Sequence, residues 1–180
     1  MRLRHLVPPL VILVALLAIA PDAMALRSAG LGGKVGLVSP DVGDNEIVFG
    51  FHWLFEQPNT LWRFSPELMF WSADQVSDVI FNVNAYYDFM PYDRISPYAG
   101  AGLGLHIYNF DVEGVDNTTD LALNLLGGVR GPAFRAAEWF AEARYVITDN
   151  EQLMFLVGMT FIIGRGGGGA SAERETAPRY

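Results

Sequence analysis

The alternation of side chains along residues 97–108 constrains the fold more than any other stretch of the chain. Its odd positions from Ala99 to Ile107 are apolar, whereas its even positions are glycines and ring-bearing residues, namely Tyr98, Gly100, Gly102, Gly104, His106 and Tyr108. Because successive side chains of a strand point to opposite faces, this period of two predicts a β-strand with one nearly bare face. Three glycines on one face weaken a strand unless something favours them. A narrow closed barrel does, since its interior needs room for large side chains of other strands while its exterior meets lipid.

The same period recurs along the chain and predicts eight strands joined by mostly short connections. We assign them to residues 34–39, 46–56, 61–71, 76–89, 97–108, 121–131, 138–148 and 152–163, with residues 26–33 as a glycine-containing lead-in. An even number of segments of about ten residues is the pattern of a transmembrane barrel. The predicted fold class is all-β, an eight-stranded antiparallel up-and-down transmembrane β-barrel.

An even strand number puts both termini at the same end of the barrel, which we expect to face the periplasm. The connections around residues 57–60, 90–95 and 131–137 would then be periplasmic, and those around residues 40–45, 72–75, 110–120 and 148–151 extracellular. The longest, residues 110–120, is acidic. It is either an ordinary solvated loop or a site for divalent cations that bridge lipopolysaccharide.

Residues 1–25 have the features of a secretory signal peptide. A basic start is followed by an apolar run over residues 6–20 and by Ala23-Met24-Ala25, which predicts cleavage after Ala25. A permanent anchor helix is the alternative, but Pro8 and Pro9 interrupt the run, and it is shorter than the ~20 residues that a span needs. At the other terminus, residues 164–180 are glycine-rich and then charged, and we expect a disordered tail.

Charge and cysteine usage exclude several classes of function. The 180 residues carry 12 Lys and Arg against 20 Asp and Glu, a net charge of −8, and loss of a leader holding Arg2, Arg4 and Asp22 leaves −9. Nucleic acid is not an expected partner of so acidic a chain. With no cysteine there is no disulfide framework and no thiolate metal site. No nucleotide or phosphate-binding fingerprint is present either, so we expect no cofactor.

The distribution of charge decides which face is the interior. The face that carries glycine and asparagine also carries charged residues, whereas the opposite face is almost free of charge over eight strands. A soluble barrel around an apolar ligand has the same period with its faces reversed. If the uncharged face met water, it would far exceed the few hundred Å² of apolar patch that soluble monomers tolerate. We therefore place that face in lipid.

Two further expectations concern individual side chains on the strands. Trp53, Trp62, Trp71 and Trp139 lie near predicted strand ends, where an aromatic girdle sits at lipid headgroups, although ordinary core packing is the alternative. Pro66 lies within a predicted strand and has no N–H to donate, so we expect a local bulge there.

Four segments resemble a known family: Pro-Tyr-Ala-Gly-Ala-Gly-Leu-Gly at 97–104, Leu-Asn-Leu-Leu-Gly-Gly-Val-Arg at 123–130, Phe-Ala-Glu-Ala-Arg-Tyr at 140–145 and Val-Gly-Met-Thr-Phe at 157–161. Their order and spacing resemble the outer-membrane β-barrel domain family, the small OmpA/OmpX-like barrels, over residues 26–163. The resemblance implies a porin-like protein integral to the outer membrane of the Gram-negative cell envelope, in contact with its lipid and lipopolysaccharide. It also implies biogenesis by the barrel-assembly machinery, which reads an aromatic in the last strand, here Phe161. The chain departs from the pattern by continuing beyond Ile163.

Charged side chains on the inner face predict the chemistry of the lumen. Eight strands leave an interior that side chains just fill, and an unpaired charge there is costly. We therefore predict an ionic network of Glu67, Asp88, Arg130, Glu142 and Arg144. It is either a structural plug or a gate for small solutes. The other polar residues expected in the lumen are His52, Ser65, Asn82, Asn84, His106 and Asn124.

One catalytic arrangement has to be considered. If the hairpin at residues 57–60 closes with residues 56 and 61 paired, His52 lies opposite Ser65, with Glu67 next on the same face. Serine, histidine and an acid are the parts of a nucleophilic hydrolase, and lipid A deacylases of the outer membrane use a barrel serine and histidine. Those enzymes use the pair at the lipid-facing surface, however, whereas here both residues face the interior.

The sequence thus supports three hypotheses about function. The first is a non-enzymatic, monomeric outer-membrane protein with a structural or adhesive role and a lumen closed by ion pairs. The second is a narrow pore for small solutes. The third is an outer-membrane lipid A hydrolase that uses Ser65 and His52.

Overall fold

The protein is an all-β closed barrel in the computed structural model, which describes residues 26–41, 44–73, 76–91, 93–110, 117–134 and 136–163. The strands are β1 (Arg27–Pro40), β2 (Glu46–Glu56), β3 (Trp62–Ser72), β4 (Val76–Asp88), β5 (Ser96–Phe110), β6 (Thr118–Phe134), β7 (Ala137–Ile147) and β8 (Gln152–Ile162). Within these ranges no helix is long and apolar enough to cross a membrane. The predicted leader and tail lie outside the described residues.

Each strand pairs antiparallel with its neighbours in the sequence, and β1 closes the barrel by pairing with β8. We call the end where β1 begins and β8 ends the terminal end, and the opposite one the distal end. The β2–β3, β4–β5 and β6–β7 connections lie at the terminal end, and the other four at the distal end. The predicted all-β, eight-stranded antiparallel up-and-down barrel is confirmed.

β1 and β6 extend furthest beyond their predicted bounds, and β5 is also longer, at Ser96–Phe110 rather than residues 97–108. β1 begins at Arg27 rather than at residue 34, because its glycines at 30, 32 and 33 lie between β2 and β8 and pair with both. Glycine carries no side chain to show a period of two, so the pattern hid the strand. β6 spans Thr118–Phe134, which takes residues 118–120 out of the predicted acidic loop and 131–134 out of the predicted β6–β7 connection. The acidic residues 111–116 lie outside the described residues.

The exterior of the barrel is apolar on all eight strands. Large apolar side chains stand exposed there, for example Phe51 at 72%, Leu121 at 65% and Phe155 at 56%. The residues that alternate with them are buried in the lumen, including every even position of β4 from Asp78 to Asp88. Each strand therefore has an apolar outer face and a buried inner face, as the alternation of its side chains in the sequence indicated.

The glycines of β5 make room for amides of neighbouring strands. A Cβ on Gly102 would collide with the side chain of Asn84, and one on Gly104 with Asn82. Asn82 and Asn84 are the cross-strand partners of these two glycines. The bare face of β5 is therefore the space into which polar side chains of β4 project.

Pro66 and Trp71 do not behave as predicted. The expected bulge at Pro66 is wrong, because the β2–β3 register is the same on both sides of it and the β3–β4 register runs through it without a shift. Pro66 instead lies where the β2–β3 ladder is interrupted, so its missing N–H leaves no ladder bond unmade.

Trp71 is wrong as a girdle residue, since it points into the lumen and is 2% exposed. Trp53 and Trp62 are exposed near the terminal end.

An apolar layer fills the distal half of the lumen. It consists of Val38, Val48, Met69, Trp71, Ile80, Tyr108, Ala122, Val146, Met154 and Leu156, all at most 4% exposed. Every one of the eight strands contributes to it. We call this set the distal apolar layer. The remaining half of the lumen, toward the terminal end, is predominantly ionic.

Candidate functional site

Glu67 is the centre of the ion pairs in the lumen. Its Oε1 accepts from Lys34 Nζ at 2.7 Å, and its Oε2 lies 2.9 Å from Arg144 Nη2. The hydroxyl of Tyr86 donates to Oε1 at 2.7 Å. The side chains of all three charged residues are at most 2% exposed. Burial makes an unpaired charge costly here, so two cations and a phenol satisfy one carboxylate.

Arg144 extends this arrangement across the lumen. Its Nη2 and Nε donate to Glu142 Oε1 at 2.6 and 3.1 Å, and the hydroxyl of Tyr98 donates to Glu142 Oε2 at 3.0 Å. Lys34, Glu67, Arg144 and Glu142 thus alternate in sign along a chain of contacts between β1, β3 and β7. We call these four residues the central ionic cluster. It contains two positive and two negative side chains, so it carries no net charge.

A second group of ion pairs lies closer to the terminal end. Arg63 contacts Asp88, Glu138 and Glu56 at 2.8, 3.0 and 3.4 Å. Arg130 contacts Asp88 at 3.1 Å, and its guanidinium lies over the ring of Tyr98 at 4.2 Å. We call Glu56, Arg63, Asp88, Arg130 and Glu138 the terminal ionic cluster. The Tyr98 ring joins the two clusters, because its hydroxyl binds Glu142 while its face meets Arg130.

The five charged residues singled out from the sequence therefore divide between two clusters. Glu67, Glu142 and Arg144 belong to the central cluster, and Asp88 and Arg130 to the terminal one. The sequence did not place Lys34 in the network, because the glycines around it carry no side chains that show which face it is on. It also missed Arg63 as a member of the network, although its position on the inner face of β3 was a usable signal.

The predicted pairing of His52 with Ser65 is wrong. In the β2–β3 hairpin Glu56 pairs with Arg63, so the register places His52 opposite Glu67, two residues from the expected position. His52 Nε2 instead contacts Thr160 Oγ1 of β8 at 2.8 Å. Ser65 is 1% exposed and faces the lumen rather than the outer surface. The parts of the hypothetical triad are thus present in one region, but Glu67 is held by Lys34 and Arg144.

The three predicted lumen asparagines form one amide cluster. Asn124 Nδ2 donates to Asn82 Oδ1 at 2.8 Å and to Asn84 Oδ1 at 3.4 Å. All three are at most 3% exposed. Because β4 and β6 flank the glycine face of β5, this cluster bridges two strands that do not pair with each other.

His106 has a partner that the sequence did not indicate. Its Nδ1 lies 2.7 Å from Asp78 Oδ2, which also accepts from Trp71 Nε1 at 3.1 Å. Nearby, Gln152 Nε2 donates to the hydroxyl of Tyr108 at 2.9 Å. Asp78 and His106 lie level with members of the distal apolar layer, because Asp78 pairs with Trp71 and Tyr108 and His106 pairs with Ile80. His106 and Asp78 are completely buried.

The space left around the central ionic cluster is small. A cavity of about 30 Å³ lies between His52, Ser65 and the central ionic cluster. That volume holds about one water molecule. In the described part of the chain no group of three or more histidines and acids is arranged to hold a metal ion. The geometry supports an interior that ion pairs hold together and side chains largely fill.

A closed eight-stranded barrel with an apolar exterior and ion pairs across its lumen defines a class: the chain has the fold of the small outer-membrane β-barrels. Neisserial surface protein A has a similar structure, with a TM-score of 0.62 and 16% sequence identity over 77% of this chain and 97% of that chain. The attachment invasion locus protein Ail of Yersinia pestis gives a TM-score of 0.55 and 15% identity over 77% and 99%. Ail is also known in complex with the heparin analogue sucrose octasulfate.

A third similar structure is that of an enzyme. The outer membrane enzyme PagL gives a TM-score of 0.52 and 11% identity over 75% of this chain and 100% of that chain. No protein-family profile and no curated protein sequence matches the chain. At these identities the similarity establishes the fold.

Proposed function

We propose that this protein is a non-enzymatic, integral outer-membrane barrel that serves a structural or adhesive role and does not conduct solutes. The observation that carries the proposal is the distal apolar layer, to which all eight strands contribute buried side chains. Below it lie the two ionic clusters, so a solute has to pass an apolar barrier and two sets of ion pairs.

The exterior supports insertion in a membrane. Its strands expose large apolar side chains around the whole circumference, from Leu31 on β1 to Phe161 on β8. A soluble monomer does not tolerate a continuous apolar belt of this kind. The similarity to outer-membrane barrels points to the outer membrane as the location. In the orientation that we expect from the sequence, the terminal end lies in the periplasm and the distal end outside.

The charge of the distal end narrows the kind of adhesive partner. In sequence its connections contain no lysine or arginine. In their described parts the acidic side chains of Asp41, Asp44, Asp149 and Glu151 are all exposed. A polyanion such as the heparin analogue bound to Ail would be repelled by this surface. An adhesive role would therefore require a cationic partner surface.

Planar-bilayer recording tests the closed lumen. We expect no stepwise conductance from the wild-type protein, and none from Glu142→Gln, because the distal apolar layer remains in place. Migration that shifts only after boiling, measured on the same proteoliposomes, shows that the barrel is folded. Stepwise conductance from folded wild-type protein, altered by Glu142→Gln or Arg130→Gln, would establish the narrow pore instead.

Lipid A analysis tests the enzymatic alternative that the likeness to PagL raises. We expect unchanged lipid A acylation in Gram-negative cells that express the protein. Deacylated lipid A that disappears with Ser65→Ala would replace our proposal with a hydrolase. The matched control is Ser72→Ala, which lies at the distal end of the same strand and is exposed.

A further inference from the structure

A furrow lies on the outer face of the barrel where β7, β8 and β1 run side by side. Its volume is about 720 Å³. It is lined by apolar side chains and glycine, among them Gly33, Val35, Trp139, Val157, Met159 and Phe161. The size lies within the ~300–1,000 Å³ range of small-molecule sites. Nothing in the proposed function uses it.

The register of the three strands explains the shape of the furrow. Met159 pairs with Gly33 on one side and with Trp139 on the other, and Val157 likewise pairs with Val35 and Ala141. Two adjacent rows across the wall thus each contain one very small residue, Gly33 or Ala141. A Cβ built on Gly33 would have no neighbour closer than Gly50 O at 3.8 Å, so the space above it is open.

We propose that this furrow holds an acyl chain of a phospholipid from the membrane leaflet on the periplasmic side. The inference rests on membrane insertion as given under Proposed function. The furrow is continuous with the uncharged apolar belt of the exterior, so its occupant comes from the hydrocarbon phase. A chain lying over Gly33 is contacted from below and from both sides, whereas a chain on a convex part of the wall is contacted from one side.

Inside a membrane, packing of the acyl chain against the barrel decides whether the furrow retains it. There is no hydrophobic gain for a lipid that leaves other lipids, so association depends on van der Waals contact. Such contacts are individually small and add up over a chain. A groove of the width of a side chain therefore retains a lipid that a smooth wall releases.

Trp139 identifies the end of the furrow at which the headgroup belongs. It is the third residue of β7, so it lies close to the terminal end of the barrel. Tryptophan prefers the membrane–water interface, so its place near the terminal end puts the headgroup at that end of the furrow.

Photo-crosslinking tests the site. The protein is reconstituted in phosphatidylethanolamine vesicles that contain a trace of a phospholipid with a diazirine in one acyl chain, irradiated and digested. We expect labelling concentrated several-fold on peptides of β1, β7 and β8 that line the furrow. In Gly33→Leu, whose side chain occupies the open space above residue 33, this excess falls.

Gly127→Leu is the matched control. Gly127 also lies on the outer face, and a Cβ there would meet only Tyr98 O at 3.7 Å, but it is on β6 and away from the furrow. We expect the excess labelling to persist in this variant. Equal labelling of all eight strands in the wild type, or an unchanged excess in Gly33→Leu, would overturn the proposal.

Two other outcomes distinguish failure of the proposed lipid site from failure of the proposed membrane insertion. A dimer in the vesicles together with weak labelling of the furrow would mean that a second protomer, rather than lipid, covers the furrow. Failure of the folded barrel to insert in vesicles would remove the proposed function itself. Insertion with uniform labelling would remove only the lipid site.

Discussion

Lys34 Nζ and Arg144 Nη2 bind opposite oxygens of the same carboxylate, that of Glu67, at 2.7 and 2.9 Å. The first strand, the third and the seventh are thereby joined across the lumen at one side chain. The sequence alone does not predict this contact, because the three residues are far apart in the chain.

Removal of the Glu67 charge should destabilise the barrel strongly. Glu67→Gln leaves Lys34 without its carboxylate in a buried site, a change that costs about 3–5 kcal/mol of unfolding free energy. Lys34→Met in the same chain removes the stranded charge, so the double variant should be more stable than Glu67→Gln alone. Denaturant unfolding in vesicles, followed by boiling-sensitive migration, measures both. A double variant less stable than Glu67→Gln would contradict the pairing, and exposed Asp44→Asn should be neutral.

The bond from Tyr98 to Glu142 should have a measurable value of its own. Tyr98→Phe removes the hydroxyl that donates to Glu142 Oε2 and keeps the ring under Arg130. A hydrogen bond to a charged group contributes about 1.5–3 kcal/mol, and the unfolding free energy should fall by that amount. Tyr87→Phe is the control, because among described residues its hydroxyl has no partner. Equal effects of the two substitutions would show that the bond contributes nothing.

Side chains added to the glycine face of β5 should prevent folding. Gly102→Val puts branched carbons where the Asn84 side chain lies, and the strand backbone cannot move away without breaking its pairing with β4 and β6. We expect loss of the boiling-sensitive band. Gly127→Val, on the outer face of β6, should keep the band, since a Cβ there meets only Tyr98 O at 3.7 Å. Normal folding of Gly102→Val would disprove the space-filling role of the glycines.

A charged residue placed on the exterior should show whether the apolar outer face of the barrel contacts lipid or water. Phe51 is 72% exposed in the middle of β2. Phe51→Arg in a membrane barrel costs about 2–4 kcal/mol near the bilayer midplane. In a water-soluble barrel the same substitution would be neutral or would raise solubility. Unfolding measured in vesicles decides between them, with Phe51→Leu as the neutral control.

The sequence was sufficient for the strands and their faces, and insufficient for the contacts across the lumen. Alternation placed Glu67, Asp88 and Arg130 inside, because a period of two is a local property of the chain. Which of them meet depends on the register of eight strands, and an error of two residues in one hairpin was enough to set His52 against Ser65 instead of Glu67.

Other misses have the same physical origin. The glycines at 30, 32 and 33 carry no side chain, so they concealed both the start of β1 and the inward direction of Lys34. The distal apolar layer was invisible because its members are single residues on eight strands, and an inward Ile80 or Met69 looks like an exception until all eight are brought to one level. Asp78 was placed on the inner face, but its bond to His106 required the β4–β5 register.

The central ionic cluster also bears on the order of assembly. Lys34 belongs to the first strand, yet the charges that complete its surroundings arrive with β3 and β7, the latter more than a hundred residues further along the chain. The Lys34–Glu67 pair needs only β1 and β3, whereas Arg144, the second cation on Glu67, arrives with β7 together with Glu142. Folding that depends on such distant contacts is slow and cooperative. The carboxylate that holds the first strand to the third therefore has both of its cations only once the seventh strand is in place.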